Sequence, residues 1–344
     1  MKQILLFSCF AVALAFALPL LLRVPDQSAA EMPTPAPEQS ASPAPTLTPS
    51  PAPAAAPPGP VRDAGISLSL RTDAGVEAVT MADYLPLALA GEMPASFAPE
   101  ALKAQAVALR SYALCYRAQR KAAHPDADVC ADPGCCAALA GEEALRAAWG
   151  ANYDAYMQKI ADAVRETDGQ YLVWDGAPAL AVFHASSSLR TEDGAALGVD
   201  RAYLVSVDTP ETESRVRNLC STVEVAASEL AAAVCAVAPA ADFSGAPEDW
   251  LGAVTLDAAG RVQSVVLGGA AVSGLTLRQL FSLRSTDFTL VWDGARFVFR
   301  VRGYGHGLGM SQYGANLMAE GGADYTAILS HYYPGTKLVV AVQN

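Results

Sequence analysis

The sequence predicts an α+β fold for the region beyond residue 62, and three observations carry that expectation. Near both ends of the region apolar residues recur at spacings of three and four, the period of a helix with one buried face. Between those ends lie short runs of Val, Leu, Phe and Trp, several of them joined across Asp-Gly pairs, as in antiparallel hairpins. Helices at the ends with meandering strands between them point to one domain of mixed helices and hairpins over 63–344, not to a regular α/β alternation.

The elements follow in order. Ile66, Leu68 and Leu70 alternate with polar neighbours, and after the turn Asp73-Ala74-Gly75 the run 76–79 completes a hairpin. Thr80 and Asp83 stand in capping-box spacing before Tyr84, Leu85, Leu87 and Leu89, so a short helix begins there and ends near Gly91. Pro99 opens a long helix to about residue 121, with Leu102, Ala106, Leu109, Ala113 and Tyr116 on its buried face and Lys103, Val107, Arg110, Leu114 and Arg117 on the adjoining stripe. Residues 142–167 read as one or two helices. Residues 171–174 and 179–184 form a hairpin about Asp175-Gly176. An Ala-rich helix covers 224–237, strands cover 254–256, 262–267, 288–292 and 297–301, and a short helix covers 277–283. Helices over 310–320 and 325–331 finish the chain.

The amino-terminal region is of another kind. Residues 4–22 carry no charge and as a helix would rise about 28 Å, against a hydrocarbon core of roughly 30 Å. A signal peptide and a retained anchor share these features. The long apolar run ending Leu20-Leu21-Leu22-Arg23 fits an anchor over 1–23 better. Either way the rest of the chain is expected outside the cytoplasm, as a single-pass membrane protein if the anchor stays. Residues 24–62 form a linker rich in Pro and Ala, too poor in apolar side chains to fold and biased to extended polyproline II. The net charge of −12 argues against nucleic acid as a partner.

Few residues carry chemistry. Glu92 stands in Ala90-Gly91-Glu92-Met93-Pro94, where a helix ends in a proline-bounded loop. A carboxyl in apolar surroundings keeps its proton to higher pH, as a general acid requires; a plain helix-terminal glutamate reads the same way. Lys103 and Arg110, seven residues apart on one stripe, suit a polyol or carboxylated ligand, or a charged surface. His124, Cys130 and Cys136 lie six residues apart in a loop rich in Asp, Pro and Gly. Nitrogen and sulfur donors suit tetrahedral zinc; a Cys130–Cys136 disulfide is the alternative in an oxidising compartment, and Cys135 competes with Cys136. Cys220 and Cys235 either pair or remain thiols. His306 lies in a Gly-rich turn that either lines a ligand cleft or brings two chain segments close.

Two long blocks resemble a known family. The first runs from Tyr84-Leu85 through Gly91-Glu92-Met93-Pro94-Ala95-Ser96-Phe97 and Glu100-Ala101-Leu102-Lys103-Ala104-Gln105-Ala106 to Arg110-Ser111-Tyr112. The second is Gly303-Tyr304-Gly305-His306-Gly307-Leu308-Gly309-Met310-Ser311-Gln312-Tyr313-Gly314, ending in Tyr332-Tyr333-Pro334-Gly335. Both are similar to the stage II sporulation protein D family, and the likeness spans about residues 63–340.

That resemblance implies a lytic transglycosylase acting on peptidoglycan glycan strands already stripped of stem peptides, in partnership with a sporulation amidase and a membrane complex. It implies Glu92 as the catalytic acid and base, with Lys103 and Arg110 contacting glycan or orienting the carboxylate. His184, Ser187, His306 and Gln312, all within family-like segments, are expected along the sugar cleft. Some family members carry zinc on this His and two-Cys spacing, which implies a structural Zn²⁺ on His124, Cys130 and Cys136. The chain departs from the family at Ser188-Leu189, where paired glycines are usual, and at Ala137-Ala138-Leu139, where Gln and an aromatic are common. Two other readings follow from these departures and from the metal ligands: a non-catalytic wall-binding amidase enhancer, and a zinc-dependent peptidoglycan hydrolase.

Overall fold

The computed structural model describes residues 62–341. The apolar segment 1–23 and, apart from Arg62, the linker 24–62 lie outside the described residues. No helix among the described residues is long and apolar enough to cross a membrane.

Strands β1 (Ser67–Thr72) and β2 (Gly75–Thr80) form the opening hairpin. The Thr80 hydroxyl caps helix α1 (Met81–Glu92), accepting from the Asp83 amide at 3.1 Å and donating to the Asp83 carboxylate at 2.6 Å. Pro99 is the first residue of α2 (Pro99–Gln119), where its missing N–H would have had no partner in any case. A two-residue strand β3 (Val129–Cys130) then lies parallel to β1, a pairing the sequence pattern does not signal. The region 142–167 resolves into two helices, α3 (Glu142–Trp149) and α4 (Tyr153–Glu166).

The expected hairpin after α4 is shorter than its pattern. Strands β4 (Gln170–Trp174) and β5 (Ala177–Pro178) pair across Asp175-Gly176, both with positive φ, as the tight turn demands. The apolar run then leaves that sheet, and β6 (Phe183–His184) pairs in parallel with a later strand. Strand β7 (Cys220–Val225) occupies the start of what reads as one helix, leaving α5 at Ala227–Val237. A meander follows: β8 (Leu251–Leu256), β9 (Val262–Leu267) and β10 (Ala270–Ser273). Helix α6 (Gly274–Leu280) starts three residues earlier than expected because the Ser273 hydroxyl caps it. Strands β11 (Phe288–Trp292) and β12 (Phe297–Arg302) join β7 in one antiparallel sheet. The chain ends in β13 (Met310–Ser311), α7 (Gln312–Glu320), α8 (Tyr325–Tyr332) and β14 (Lys337–Val340), the last paired with β4. The class is α+β as expected, with two parallel strand pairs added to the hairpins.

Two apolar clusters hold these elements. Helix α2 runs through the first and packs against α1, α4, α7, α8 and β4. It is buried on nearly every side between Ala101 and Ala113, not along one stripe. Its alanines, with little side chain to keep neighbours apart, let those helices close around it. The second cluster joins Leu230 and Val234 of α5, Leu277 of α6, and Phe288, Phe297 and Phe299 of β11 and β12. Between the clusters runs the segment 303–309. There Gly309 has φ +65°, and a Cβ on it would run into the Val182 carbonyl oxygen. The glycines of this turn thus serve the close approach of two chain segments.

Candidate functional site

Glu92 is the last residue of α1 and half-buried. Its Oε1 accepts a 2.5 Å hydrogen bond from the backbone N–H of Ala138, which the loop after the cysteines lays across the helix end. Gly91 makes that contact possible: a Cβ there would sit 2.5 Å from the Ala138 carbonyl oxygen. The Ala140 amide fixes the same segment to the Leu87 carbonyl at 3.1 Å. Burial pushes the Glu92 carboxyl up to about 7, against smaller downward pulls from the Ala138 N–H and the Gln312 side chain. Its place at the negative end of the α1 dipole acts in the same upward direction. Gln312 is buried beside it at the start of α7. Its Nε2 completes no hydrogen bond of standard geometry, yet the amide still favours the charged carboxylate. Such a group holds its proton near neutrality and can give it to a basic oxygen.

The His/Cys loop lies directly against this carboxylate. His124, Cys130, Cys135 and Cys136 bring their donor atoms within 4.8 Å of one another. The His124 Nδ1 lies 3.0 Å from the Ala127 carbonyl, which fixes the proton there and leaves Nε2 facing the Cys136 sulfur at 3.2 Å. The Cys130 amide donates to the same sulfur at 3.3 Å. Cys136, Glu92 and Cys130 all neighbour the Tyr84 hydroxyl, which is buried and has no hydrogen-bond partner. Buried nitrogen and sulfur donors at this separation fit a thiophilic metal such as zinc. Cys220 and Cys235, by contrast, are both exposed free thiols.

His184 and Ser187 lie in a buried network and not on an open wall. His184 Nε2 is 2.6 Å from the Ser187 hydroxyl, and its Nδ1 is 3.1 Å from the Leu308 carbonyl. Burial drives the His184 pKa well down, so the ring is neutral, donating from Nδ1 and accepting at Nε2. The Ser187 amide donates to Glu211 at 2.9 Å, and Arg261 donates to the Ser187 hydroxyl at 3.2 Å while lying 3.7 Å from Glu192. The His306 ring lies 5.8 Å from that of His184, tilted by 56°, and accepts at Nδ1 from the Leu308 amide at 3.0 Å; burial lowers its pKa to about 4. Glu211 and Arg261 escaped the sequence reading, since a lone charge in a loop gives no sign of its burial. The missing glycines at Ser188-Leu189 leave no strain: neither residue has positive φ, and Ser188 hydrogen-bonds to Asp287.

Lys103 and Arg110 are each engaged with protein partners. Lys103 pairs with Glu100 at 2.7 Å and Glu166 at 2.6 Å, tying α2 to α4. Arg110 is fully buried, with two bonds to Asp63 at 2.7 and 2.6 Å and one to the Gln170 carbonyl at 2.7 Å. Every direction of its guanidinium is occupied by protein. The structure therefore brings Glu92, Gln312 and the His/Cys loop together, and uses Arg110 to fasten the start of the domain to β4.

Comparison with known proteins adds independent findings. A family model described as stage II sporulation protein (SpoIID) matches residues 71–174. The chain is 32% identical to stage II sporulation protein D of Bacillus amyloliquefaciens over 267 residues, 76% of this chain and 75% of that protein. It is 33% identical to the Bacillus subtilis (strain 168) protein of the same name over the same shares. A 55-residue stretch, 16% of this chain, is 51% identical to a Bacillus subtilis protein named amidase enhancer, covering 8% of it.

Proposed function

The chain belongs to the stage II sporulation protein D family, and from that premise we propose that it is a lytic transglycosylase of peptidoglycan glycan strands. The observation that carries the reading is Glu92: a single carboxyl with its pKa raised by burial to about 7, held by one backbone N–H, with an amide donor of Gln312 unspent beside it. The pulls that lower it come from the Ala138 N–H and the Gln312 side chain.

One carboxyl suffices for this reaction. Protonated Glu92 gives its proton to the glycosidic oxygen between N-acetylmuramic acid and N-acetylglucosamine as that bond breaks. The carboxylate then takes the proton of the muramoyl 6-hydroxyl, whose oxygen closes on the anomeric carbon as a 1,6-anhydro ring. Because the attacking hydroxyl is intramolecular, no second carboxylate is needed to activate water or to form a glycosyl-enzyme. The buried Gln312 amide, which favours the charged carboxylate, would support Glu92 in its base form during the second step.

His124, Cys130 and Cys136 would hold Zn²⁺ in the same reading. Bound there, the metal would cross-link the loop whose continuation supplies the Ala138 N–H. The segment 1–23 anchors the chain in the mother-cell membrane, and the linker 24–62 extends the domain toward strands that an amidase has stripped of peptides. The 51% identity to an amidase enhancer over 55 residues favours a second reading, in which the protein binds wall and stimulates that amidase without cutting glycan. Mass spectrometry of denuded strands after incubation with the purified chain separates the two. Anhydro ends support the transglycosylase, and uncut strands support the enhancer.

A further inference from the structure

Four donors, not three, converge in the loop after α2. His124, Cys130, Cys135 and Cys136 all offer a ligand atom within 4.8 Å of the others. Zinc bonds of about 2.0–2.3 Å to nitrogen and sulfur set tetrahedral ligand atoms roughly 3.5–3.8 Å apart, so a pair at the full 4.8 Å would contract by about 1.0–1.3 Å. We propose that Cys135 is the fourth ligand, closing the centre as a Cys₃His site with no position left for water or substrate. The inference rests on the zinc reading above and specifies what completes the coordination sphere.

The local chain is built to present both adjacent cysteines. The Asp132 carbonyl accepts from the Cys135 amide at 3.0 Å and from the Cys136 amide at 2.8 Å. The Asp132 carboxylate accepts from the Gly134 amide at 2.8 Å, which pins the turn between them. One helix-like turn therefore carries both cysteines, and their sulfurs lie within 4.8 Å of each other and of the other two donors. Charge agrees with a third thiolate. Zn²⁺ with three thiolates and a neutral imidazole carries a net −1, and the Lys121 ammonium stands at this side of the loop, donating to the Cys135 carbonyl and, at 2.7 Å, to the Tyr112 hydroxyl. Cys135 is half-buried while the other three ligands are buried, so it stands on the flank from which an outside ligand would have to enter.

The consequence is chemical. A zinc with four protein ligands has no open position at which to activate water, so it acts as a cross-link and not as a hydrolytic centre. X-ray absorption at the zinc edge of the full-length chain tests this directly. Three sulfurs and one nitrogen are expected in the wild type, falling to two sulfurs in Cys135→Ser and staying at three in Cys220→Ser. Two sulfurs with two light atoms in the wild type would overturn the closed site while leaving zinc binding standing. Zinc with three sulfurs that Cys135→Ser does not change would likewise remove Cys135 from the centre. Purified protein with no zinc and a mapped Cys130–Cys136 or Cys130–Cys135 disulfide would overturn both readings together.

Discussion

The backbone N–H of Ala138 donates to Glu92 at 2.5 Å, and Ala138 stands two residues beyond Cys136. The loop that gathers the candidate metal ligands is thus the same piece of chain that holds the candidate acid. Any change to the loop is felt at Glu92 through one peptide group.

The pH dependence follows from the raised Glu92 carboxyl. A general acid must carry its proton in the free enzyme, so kcat/KM for strand cleavage is expected to fall as pH rises through about 7. Gln312 favours the carboxylate, so Gln312→Leu should move that fall to higher pH. Stability has a matching sign. The folded state holds the Glu92 proton to about 7 whereas an unfolded chain releases it near the ordinary 4.5, so this residue's contribution declines as pH rises across that window. In Glu92→Gln the decline should be shallower but not gone, because burial also pushes Glu192 and Glu211 up to about 7; urea titrations at several pH values measure the difference.

Gly91→Ala tests how the loop is seated. The added methyl meets the Ala138 carbonyl and has to push the 138–140 segment off α1. Overpacking of this kind costs about 1–3 kcal/mol. Strand cleavage is expected to drop further than the loss of stability explains, because the Glu92 hydrogen bond is what moves. Equal activity at saturating substrate would show that the bond is dispensable.

Much of the frame was legible in the sequence because its signals are local. The Thr80–Asp83 cap, the first-turn proline of α2 and the Asp175-Gly176 turn are each written within four residues. What was hidden depends on partners far along the chain. Strand β3 joins β1 across some sixty residues, and the run over 179–184 reads as one strand although its end pairs with Met310 and Ser311. Arg110 shows the same limit at the site. Its stripe on α2 marks it as a charge beside a core face, but its partner Asp63 lies 47 residues away and nothing local announces it. The Ala138 contact is invisible for a simpler reason: a backbone amide bonds equally well from any residue but proline.

Arg110→Met should destabilise the domain strongly. It would leave the Asp63 carboxylate buried with only backbone donors nearby, and breaking a buried pair from one side costs about 3–5 kcal/mol. Chemical denaturation measures this. A variant at Lys103, whose partners are partly exposed, should cost far less, about 0–1 kcal/mol for each pair lost.

Chelation separates a structural metal from a catalytic one. Removing zinc should lower the melting temperature and slow cleavage, while the residual products keep 1,6-anhydro ends. Loss of a hydrolytic product bearing reducing ends would instead point to a metal-activated water.

The most direct test is product analysis of Glu92→Gln beside the wild type on denuded glycan strands. The wild type is expected to release 1,6-anhydro-muramoyl products, and the variant to lose that release by a factor on the order of 10² to 10⁴ while still binding strands and unfolding at an unchanged midpoint at pH 5. Undiminished anhydro product from the variant would contradict the assignment of Glu92 as the acid and base.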